Sequence, residues 1–273
     1  MNKDEIIELW KSVGWNSLKD YQNHLLSGNH NYELNEYLDP DKINPKEFWM
    51  ACDEHFSVDP VCNTTYLSGK TPNIKESNEI NFSLILYLGL IGYLHRAIHE
   101  TENRFGKVNL AEIGCGYGSF YENSKLTDFF NYTGFDIIKR VDYAVELLGE
   151  DGTFSDSQLE EYIGKFNIFF SANTFQHLSP KQIKKYLTQF NKLLPIDGQV
   201  VLTYCFMNYL NGEIGRSYHY GQICNIIPLT ELIQLFQAHG FQSQSISQMY
   251  LRDDNLLDLN PVGFLLKKTK HVF

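Results

Sequence analysis

Four short apolar runs in the second part of the sequence constrain the fold more than any other feature. They are VNLAEIG, YTGFDII, FNIFFSA and GQVVLTYCF, and each is rich in β-branched or aromatic residues. Helix-like segments separate these runs, and the clearest begins at Ser179-Pro180, where serine can cap the helix and proline can occupy its first turn. Alternating strands and helices form a parallel sheet with helices on both faces, so we predict an α/β fold. Two final runs, QSQSISQMYL and PVGFLLKKT, are predicted to close the sheet.

The first hundred residues have a helical pattern instead. Apolar residues at helical spacing predict helices at Lys3 to Ser12, Ser17 to Leu26, Pro45 to Phe56 and Ser77 to Asn103. A later helix, about Thr230 to His239, should end at Gly240. We therefore divide the chain into a helical accessory region, residues 1–104, and an α/β domain, residues 105–273.

Charge and composition narrow the class of partner. The 23 basic and 33 acidic residues give a net charge of −10, which repels phosphate backbones, so we expect no nucleic-acid partner. Five cysteines without paired spacing and an N-terminus without the pattern of an export signal predict a cytoplasmic protein. The longest apolar run, FSLILYLGLIGYL, is shorter than the roughly 20 residues that a bilayer requires, so no membrane insertion is expected.

The segment LAEIGCGYGSF combines a strand, a glycine-rich turn and the start of a helix. Closely spaced glycines let the backbone approach a ligand, and the N-H groups of a helix N-terminus point toward it. A dinucleotide-binding G-x-G-x-x-G loop starting at Gly114 would have its third glycine at position 119, where this chain has Ser119. Asp136 ends the next strand and can accept hydrogen bonds from both hydroxyls of a ribose. The pattern therefore predicts a nucleoside ligand with an unphosphorylated ribose.

The E-x-G-x-G-x-G loop followed by this aspartate resembles class I S-adenosylmethionine (SAM)-dependent methyltransferases, over about Val108 to Lys268. The resemblance implies a Rossmann-like sheet, SAM as methyl donor and S-adenosylhomocysteine (SAH) as product. It assigns the loop residues to the methionine part of SAM, namely Glu112, Gly114, Gly116 and Gly118. It assigns Asp136 to the ribose and its neighbour Ile137 to the same ligand.

Two further segments are matched to the family's cofactor site. SANTFQHLSP follows the fourth strand and looks like the segment beside the methyl-donor centre, where Ser171, Asn173 and His177 are the candidates. GEDGTFSDSQ lies where the family contacts the adenine amino group. We select Phe154 there, while Thr153, Asp156 and Ser157 stay open as alternatives.

The expected chemistry identifies candidate bases. A sugar or alcohol hydroxyl is a very weak acid, so its methylation needs a positioned base. His177 is the first choice, His219 the second, and Glu213 a weaker candidate. The loop MNYLNGEIGRSYHYGQI combines hydrogen-bonding and aromatic residues that suit a carbohydrate, and its predicted acceptor contacts are Glu213, Arg216, Tyr218 and Tyr220. Its YGQ element is similar to sugar O-methyltransferases of surface-polysaccharide gene clusters.

Family comparison also bears on metals and on other reactions. Metal-dependent relatives have an aspartate after strand four and an Asp-Asn pair after strand five, and neither is present, so we expect no metal. The D/N-P-P-Y/F/W tetrapeptide of adenine-N6 enzymes and the Pro-Cys of cytosine-C5 enzymes are absent from the sequence. The alternatives are a small-molecule N-methyltransferase and a catalytically silent SAM-binding partner subunit. Residues 1–104 are expected to form a lid over a small-molecule or saccharide acceptor, or else a homodimerisation arm.

Overall fold

The computed structural model describes residues 1–17, 20, 44–56, 79, 82, 85, 89–207, 217–219, 222–224, 227–248 and 259–272. Its strands are β1 (Asn109–Ile113), β2 (Asn131–Asp136), β3 (Val145–Leu147), β4 (Ile168–Ser171), β5 (Gln199–Met207), β6 (Ser217–His219), β7 (Gln222–Cys224), β8 (Phe241–Gln248) and β9 (Leu259–Lys268). Its helices are α1 (Lys3–Ser12), α2 (Pro45–Phe56), α3 (Leu90–Phe105), α4 (Ser119–Asn123), α5 (Asp156–Tyr162), α6 (Pro180–Leu193) and α7 (Leu229–Ala238). Short 3-10 turns occur at Thr127–Phe129 and Phe175–His177.

The main sheet has the strand order β3-β2-β1-β4-β5-β9-β8. Strands β1 to β5 pair in parallel, whereas β9 runs antiparallel to both β5 and β8. The predicted α/β sheet and the two closing strands are therefore confirmed. The strand order reverses between β1 and β4, and such a switch point leaves a crevice at the carboxyl ends of the strands. The glycine-rich loop after β1 lies at this edge.

Both faces of the sheet are buried under helices. Along β4, Phe169 belongs to one core cluster and its neighbours Ile168 and Phe170 belong to the other. Helices α5, α6 and α7 cover the first face, and α3 covers the second. Burial on both sides explains why the central strands read as continuous apolar runs rather than as an alternation.

Local capping sets where the helices begin. Ser179 accepts a hydrogen bond from the Gln182 backbone N-H at 3.2 Å, and the Gln182 side chain accepts one from the Ser179 N-H at 2.8 Å. This reciprocal pair confirms the predicted start of α6. Helices α1 and α2 also have the predicted bounds. Most of the predicted Ser17 to Leu26 helix lies outside the described residues.

The predicted helix from Ser77 to Asn103 is wrong at Gly89. That residue has a φ of +67°, a left-handed conformation that interrupts a right-handed helix, and α3 begins only at Leu90. At the other end, Gly106 (φ +69°) terminates α3 by donating its N-H to the carbonyl of Glu102. In the part of the chain that the structure describes, no helix combines the length and apolarity needed to cross a bilayer.

Candidate active site

The three glycines after β1 all have positive φ, +72° at Gly114, +51° at Gly116 and +76° at Gly118. Two of them are also required by packing. A Cβ on Gly114 would lie 2.1 Å from the Thr174 hydroxyl oxygen, and one on Gly118 would lie 1.2 Å from the Tyr143 hydroxyl oxygen. Gly114 and Gly116 line a cleft, whereas Gly118 packs behind it against Tyr143. The third glycine therefore supports the loop and does not contact the cleft, in contrast to the sequence prediction.

Asp136 ends β2 at the bottom of this cleft and is 6% exposed. Its carboxylate accepts hydrogen bonds from the backbone N-H of Gly116 at 2.7 Å and from that of Ile137 at 2.8 Å. Burial raises the pKa of Asp136, while the positive charge of Arg140 and the backbone N-H donors oppose the increase. The aspartate thus joins the glycine loop to the end of β2 and presents a carboxylate to a ligand in the cleft.

Glu112 on β1 is a second buried acid at the cleft. It is 4% exposed, and its carboxylate accepts a hydrogen bond from the Tyr132 hydroxyl at 2.5 Å. Burial raises the pKa of Glu112 to about 8; the Tyr132 hydrogen bond lowers it, and the nearby Asp136 raises it further. A cation that binds close to Glu112 would lower this pKa again.

The cleft is lined by residues that follow β1, β2 and β4. Gly114 and Gly116 of the glycine loop contribute backbone, and Ile137 and Leu148 contribute apolar surface. Asn173 and His177, which follow β4, line the same cleft. The prediction placed Ile137, Asn173 and His177 at one site, and the structure brings them together.

Phe154 does not line the cleft, which corrects its predicted cofactor contact. The ring is 2% exposed and lies 4.9 Å from the ring of Phe135 in the core. The Gln189 side chain holds the Phe154 backbone through hydrogen bonds to both its N-H and its carbonyl. The preceding residues, Asp151 and Gly152, line the cleft instead. The turn-forming sequence EDG was the signal that could have pointed to them.

Ser171 is also misassigned by the sequence prediction. It is 1% exposed, and its hydroxyl donates a hydrogen bond to the carbonyl of Ile113 at 3.0 Å. Ser171 therefore ties β4 to β1 and does not reach the cleft. The residues after it, Ala172, Asn173 and Thr174, line the cleft in its place.

Two residues of helix α2, Pro45 and Trp49, line the cleft. The rings of Trp49 and His177 meet edge to face with centroids 5.5 Å apart. The guanidinium of Arg140 lies 5.4 Å from the Trp49 ring centroid and 5.0 Å from that of Tyr117. Asp53 accepts hydrogen bonds from the Tyr117 hydroxyl at 3.0 Å and from Arg140 Nε at 3.1 Å. Helix α2 is thus bonded to Tyr117 of the glycine loop itself, a contact that sequence analysis missed.

The predicted acceptor loop is described only in part. Residues 217–219 form strand β6, which pairs with β7, and the structure describes only their backbone, so the side chains of Tyr218 and His219 are outside the description. Glu213, Arg216 and Tyr220 lie outside the described residues altogether.

Within the described residues, no group of three or more histidine, cysteine, aspartate or glutamate side chains could hold a metal ion. Metal independence stays a prediction.

Comparison with known proteins identifies the family of this chain. A family model described as "Methyltransferase domain" matches residues 86–246, more than half of the chain. The chain belongs to this methyltransferase family. The methyltransferase uses SAM as its cofactor, and its seven-stranded sheet is the Rossmann-like α/β fold of SAM-dependent methyltransferases. A search of curated proteins finds no match.

Solved structures of other methyltransferases are similar to this one. A 1,6-didemethyltoxoflavin-N1-methyltransferase of Burkholderia thailandensis, solved with SAH, is 14% identical with a TM-score of 0.44, over 74% of this chain and 93% of that one. A geranyl diphosphate methyltransferase in complex with SAM is 10% identical with a TM-score of 0.48, over 73% and 93% of the two chains. A SAM-dependent methyltransferase of Methanosarcina mazei is 16% identical with a TM-score of 0.44, over 60% and 93%. With TM-scores below 0.5, none of the three bears on the acceptor.

The contact between α2 and the glycine loop leads to a testable expectation. Replacing Asp53 by alanine removes the acceptor for both Tyr117 and Arg140, so we expect SAH to bind about 10-fold more weakly. Glu54→Ala is the matched control, because Glu54 is the next residue of α2 and pairs only at the surface with Lys3. Isothermal titration calorimetry with SAH measures the difference. Equal affinities of the two variants would show that α2 is not coupled to the cofactor cleft.

Proposed function

We propose that the methyltransferase transfers the methyl group to a hydroxyl of a sugar, a sugar nucleotide or a surface saccharide, without a metal ion. The observation that carries this proposal is the position of His177, which lines the cofactor cleft against the ring of Trp49. A hydroxyl acceptor needs a base at the reaction centre, whereas an amine acceptor does not. An indole beside that base also provides a flat apolar surface on which a sugar can pack.

The residues of the cleft suit SAM. We assign Asp136 to the ribose hydroxyls, and Ile137, Leu148 and Gly152 of the cleft lining to the adenine. The buried acids Glu112 and Asp136 favour a ligand that carries positive charge. SAM supplies a methyl group already activated by its sulfonium, so no metal or covalent intermediate is needed.

The protein's own part is to orient the acceptor and to accept its proton. His177 is the proposed general base, and its ring is held from one side by Trp49. Restricting the ring in this way lowers the entropy cost of positioning it for proton transfer. His219 is the second candidate, and Glu213, Arg216, Tyr218 and Tyr220 are proposed to contact the acceptor, because their loop follows β5 at the carboxyl edge of the sheet.

We also propose that residues 1–104 act as a lid. Helix α2 supports this, since Pro45 and Trp49 line the cleft and Asp53 bonds to the glycine loop. The alternative of a dimerisation arm predicts a dimer whose affinity for SAH changes with protein concentration.

The test is a transfer assay from methyl-labelled SAM to two panels of acceptors. The hydroxyl panel contains UDP-glucose, GDP-mannose and methyl glycosides, and the amine panel contains aminosugars and simple amines. Labelled hydroxyl products support the proposal. Labelling of amines alone would indicate an N-methyltransferase, and activity that requires a co-purified methyltransferase would indicate a silent partner subunit.

Binding of SAM should release a proton from Glu112. The pKa of Glu112 is raised to about 8 in the free protein, and the positive charges of SAM should lower it. Between the two pKa values binding expels the proton, so affinity should rise as the pH increases from about 6 to 8. Calorimetry at pH 7 in two buffers with different ionisation enthalpies counts the protons released.

Glu112→Gln should abolish this release, since an amide has no proton to lose. Glu122→Gln, on the exposed surface of α4, serves as the control and should behave as the wild type. A wild-type protein that binds SAM with no buffer dependence at pH 7 would contradict the expectation.

A further inference from the structure

Asn173 has an unusual backbone conformation at the edge of the cleft. Its φ is +57°, in the left-handed region that favours glycine, although asparagine tolerates the region better than most residues. The conformation is held in place from the core. The Asn173 N-H donates a hydrogen bond at 2.7 Å to the hydroxyl of Thr203, a fully buried residue on β5.

The side chain of Asn173 is available to a ligand. Asn173 lines the cleft and is half-buried. Within the described residues its side-chain amide has no hydrogen-bond partner. The bond to Thr203 uses only the backbone N-H of Asn173. An amide with one strong acceptor and two donors, in a cleft and without a protein partner, is suited to bonding a bound molecule.

The neighbours of Asn173 place it near the reaction centre. His177 follows on the Phe175–His177 turn and lines the same cleft. Thr174 directly follows Asn173 in the sequence, and its side chain packs against Gly114 of the glycine loop. Asn173 thus lines the same cleft as the glycine loop and the proposed base.

We propose that the side-chain amide of Asn173 orients the acceptor by donating a hydrogen bond to its nucleophilic oxygen, a role in acceptor binding rather than in cofactor binding. This inference rests on the proposed hydroxyl acceptor. The O-H proton passes to His177, one oxygen lone pair forms the new bond to the methyl carbon, and the second lone pair accepts the hydrogen bond from Asn173 Nδ2. The bond between the sulfonium sulfur and the methyl carbon breaks, and its electron pair stays on sulfur as the neutral thioether of SAH.

Asn173→Gly is the decisive variant, because glycine removes the amide and relaxes the backbone at once. We expect unchanged or higher thermal stability and unchanged affinity for SAH. The value of kcat/KM for the acceptor should be at least about 10-fold lower than that of the wild type. Asn173→Asp keeps a side chain of the same shape but lacks the donor, so its kcat/KM should fall similarly. A merely structural asparagine would leave kcat/KM unchanged in the glycine variant, and that result would overturn the proposal. A loss of SAH affinity equal to the loss in kcat/KM would overturn it as well, in favour of a cofactor contact.

Thr203 gives an independent check on the backbone anchor. Thr203→Val removes the hydroxyl that accepts the Asn173 N-H and should lower kcat, whereas Thr203→Ser keeps the hydroxyl and should restore it. Equal kcat values for the two variants would count against the anchor. The wild type is assayed beside all variants with UDP-glucose, GDP-mannose and the amine panel. If the wild type itself methylates no hydroxyl, the proposed function fails and this inference fails with it, a result distinct from an active wild type with an equally active Asn173→Gly.

Discussion

Replacing Asp136 by alanine is expected to weaken the binding of SAH by about 100-fold or more. Two ribose hydroxyls would each lose a hydrogen bond to a charged group, and such bonds contribute about 1.5 to 3 kcal/mol each. The glycine loop would also lose its anchor, because the Gly116 N-H bonds to this carboxylate. Calorimetric titration of the wild type and the variant with SAH measures the effect.

Asp142→Ala is the matched control for this experiment. Asp142 follows Asp136 closely in sequence, but its side chain is fully exposed and pairs only with Lys139 at the surface. Its affinity for SAH should equal that of the wild type. Asp136→Ala should stay folded, since burial raises the pKa of Asp136 and a buried carboxylate does not favour folding by itself. A folded Asp136→Ala that binds SAH as the wild type does would refute the assignment of this residue to the ribose.

The second large effect is expected at His177. Replacing it by alanine should lower kcat for a hydroxyl acceptor by about 100-fold or more, the usual contribution of a positioned general base. The affinity for SAH should change little, because the ring is proposed to act on the acceptor. The wild-type rate should fall as the pH is lowered, because a protonated histidine can no longer accept a proton. This part of the pH dependence should be missing in the variant.

His239→Ala provides the comparison for a histidine outside the cleft. His239 lies at the end of α7, where its ring contacts the carbonyl of Leu235, so its loss should leave the rate unchanged. Single-turnover rates with saturating SAM separate the chemical step from product release. Equal rates for His177→Ala and the wild type, together with a large loss in His219→Ala, would transfer the role of base to the second candidate.

Predictions that depend on neighbouring residues in the sequence were successful. Strands β1, β2, β4, β5, β8 and β9 follow from apolar runs, and the start of α6 at Ser179 follows from capping, both of which act within a few residues. The short strands β3, β6 and β7 were not predicted. The position of Asp136 at the cleft was also predictable, because a residue that ends a parallel strand lies at the carboxyl edge of the sheet. The glycine loop and Asp136 were also the basis of the resemblance to SAM-dependent methyltransferases.

Predictions of side-chain direction were less successful where both faces of the sheet are buried. Ser171 and Phe154 are each close in the sequence to residues that line the cleft. Both are nevertheless buried. For Ser171 the pairing of β4 with β1 decides this, and for Phe154 the turn at Gly152 and the bonds to Gln189 decide it. The first cause cannot be read from a strand whose two sides are equally apolar, and the second joins residues 35 apart in the sequence.

The sequence by itself determined the main alternation of strands and helices, the glycine loop, the position of Asp136 at the end of β2 and the resemblance to the methyltransferase family, because each depends on a short stretch of chain. Only the tertiary structure joined Asp53 to Tyr117 and Arg140, across 64 and 87 residues of sequence, and placed α2 on the cleft. It alone revealed the Thr203 anchor under Asn173, across 30 residues. Contacts between such distant residues depend on how the sheet brings strand ends and helices together, and no local pattern of residues encodes that.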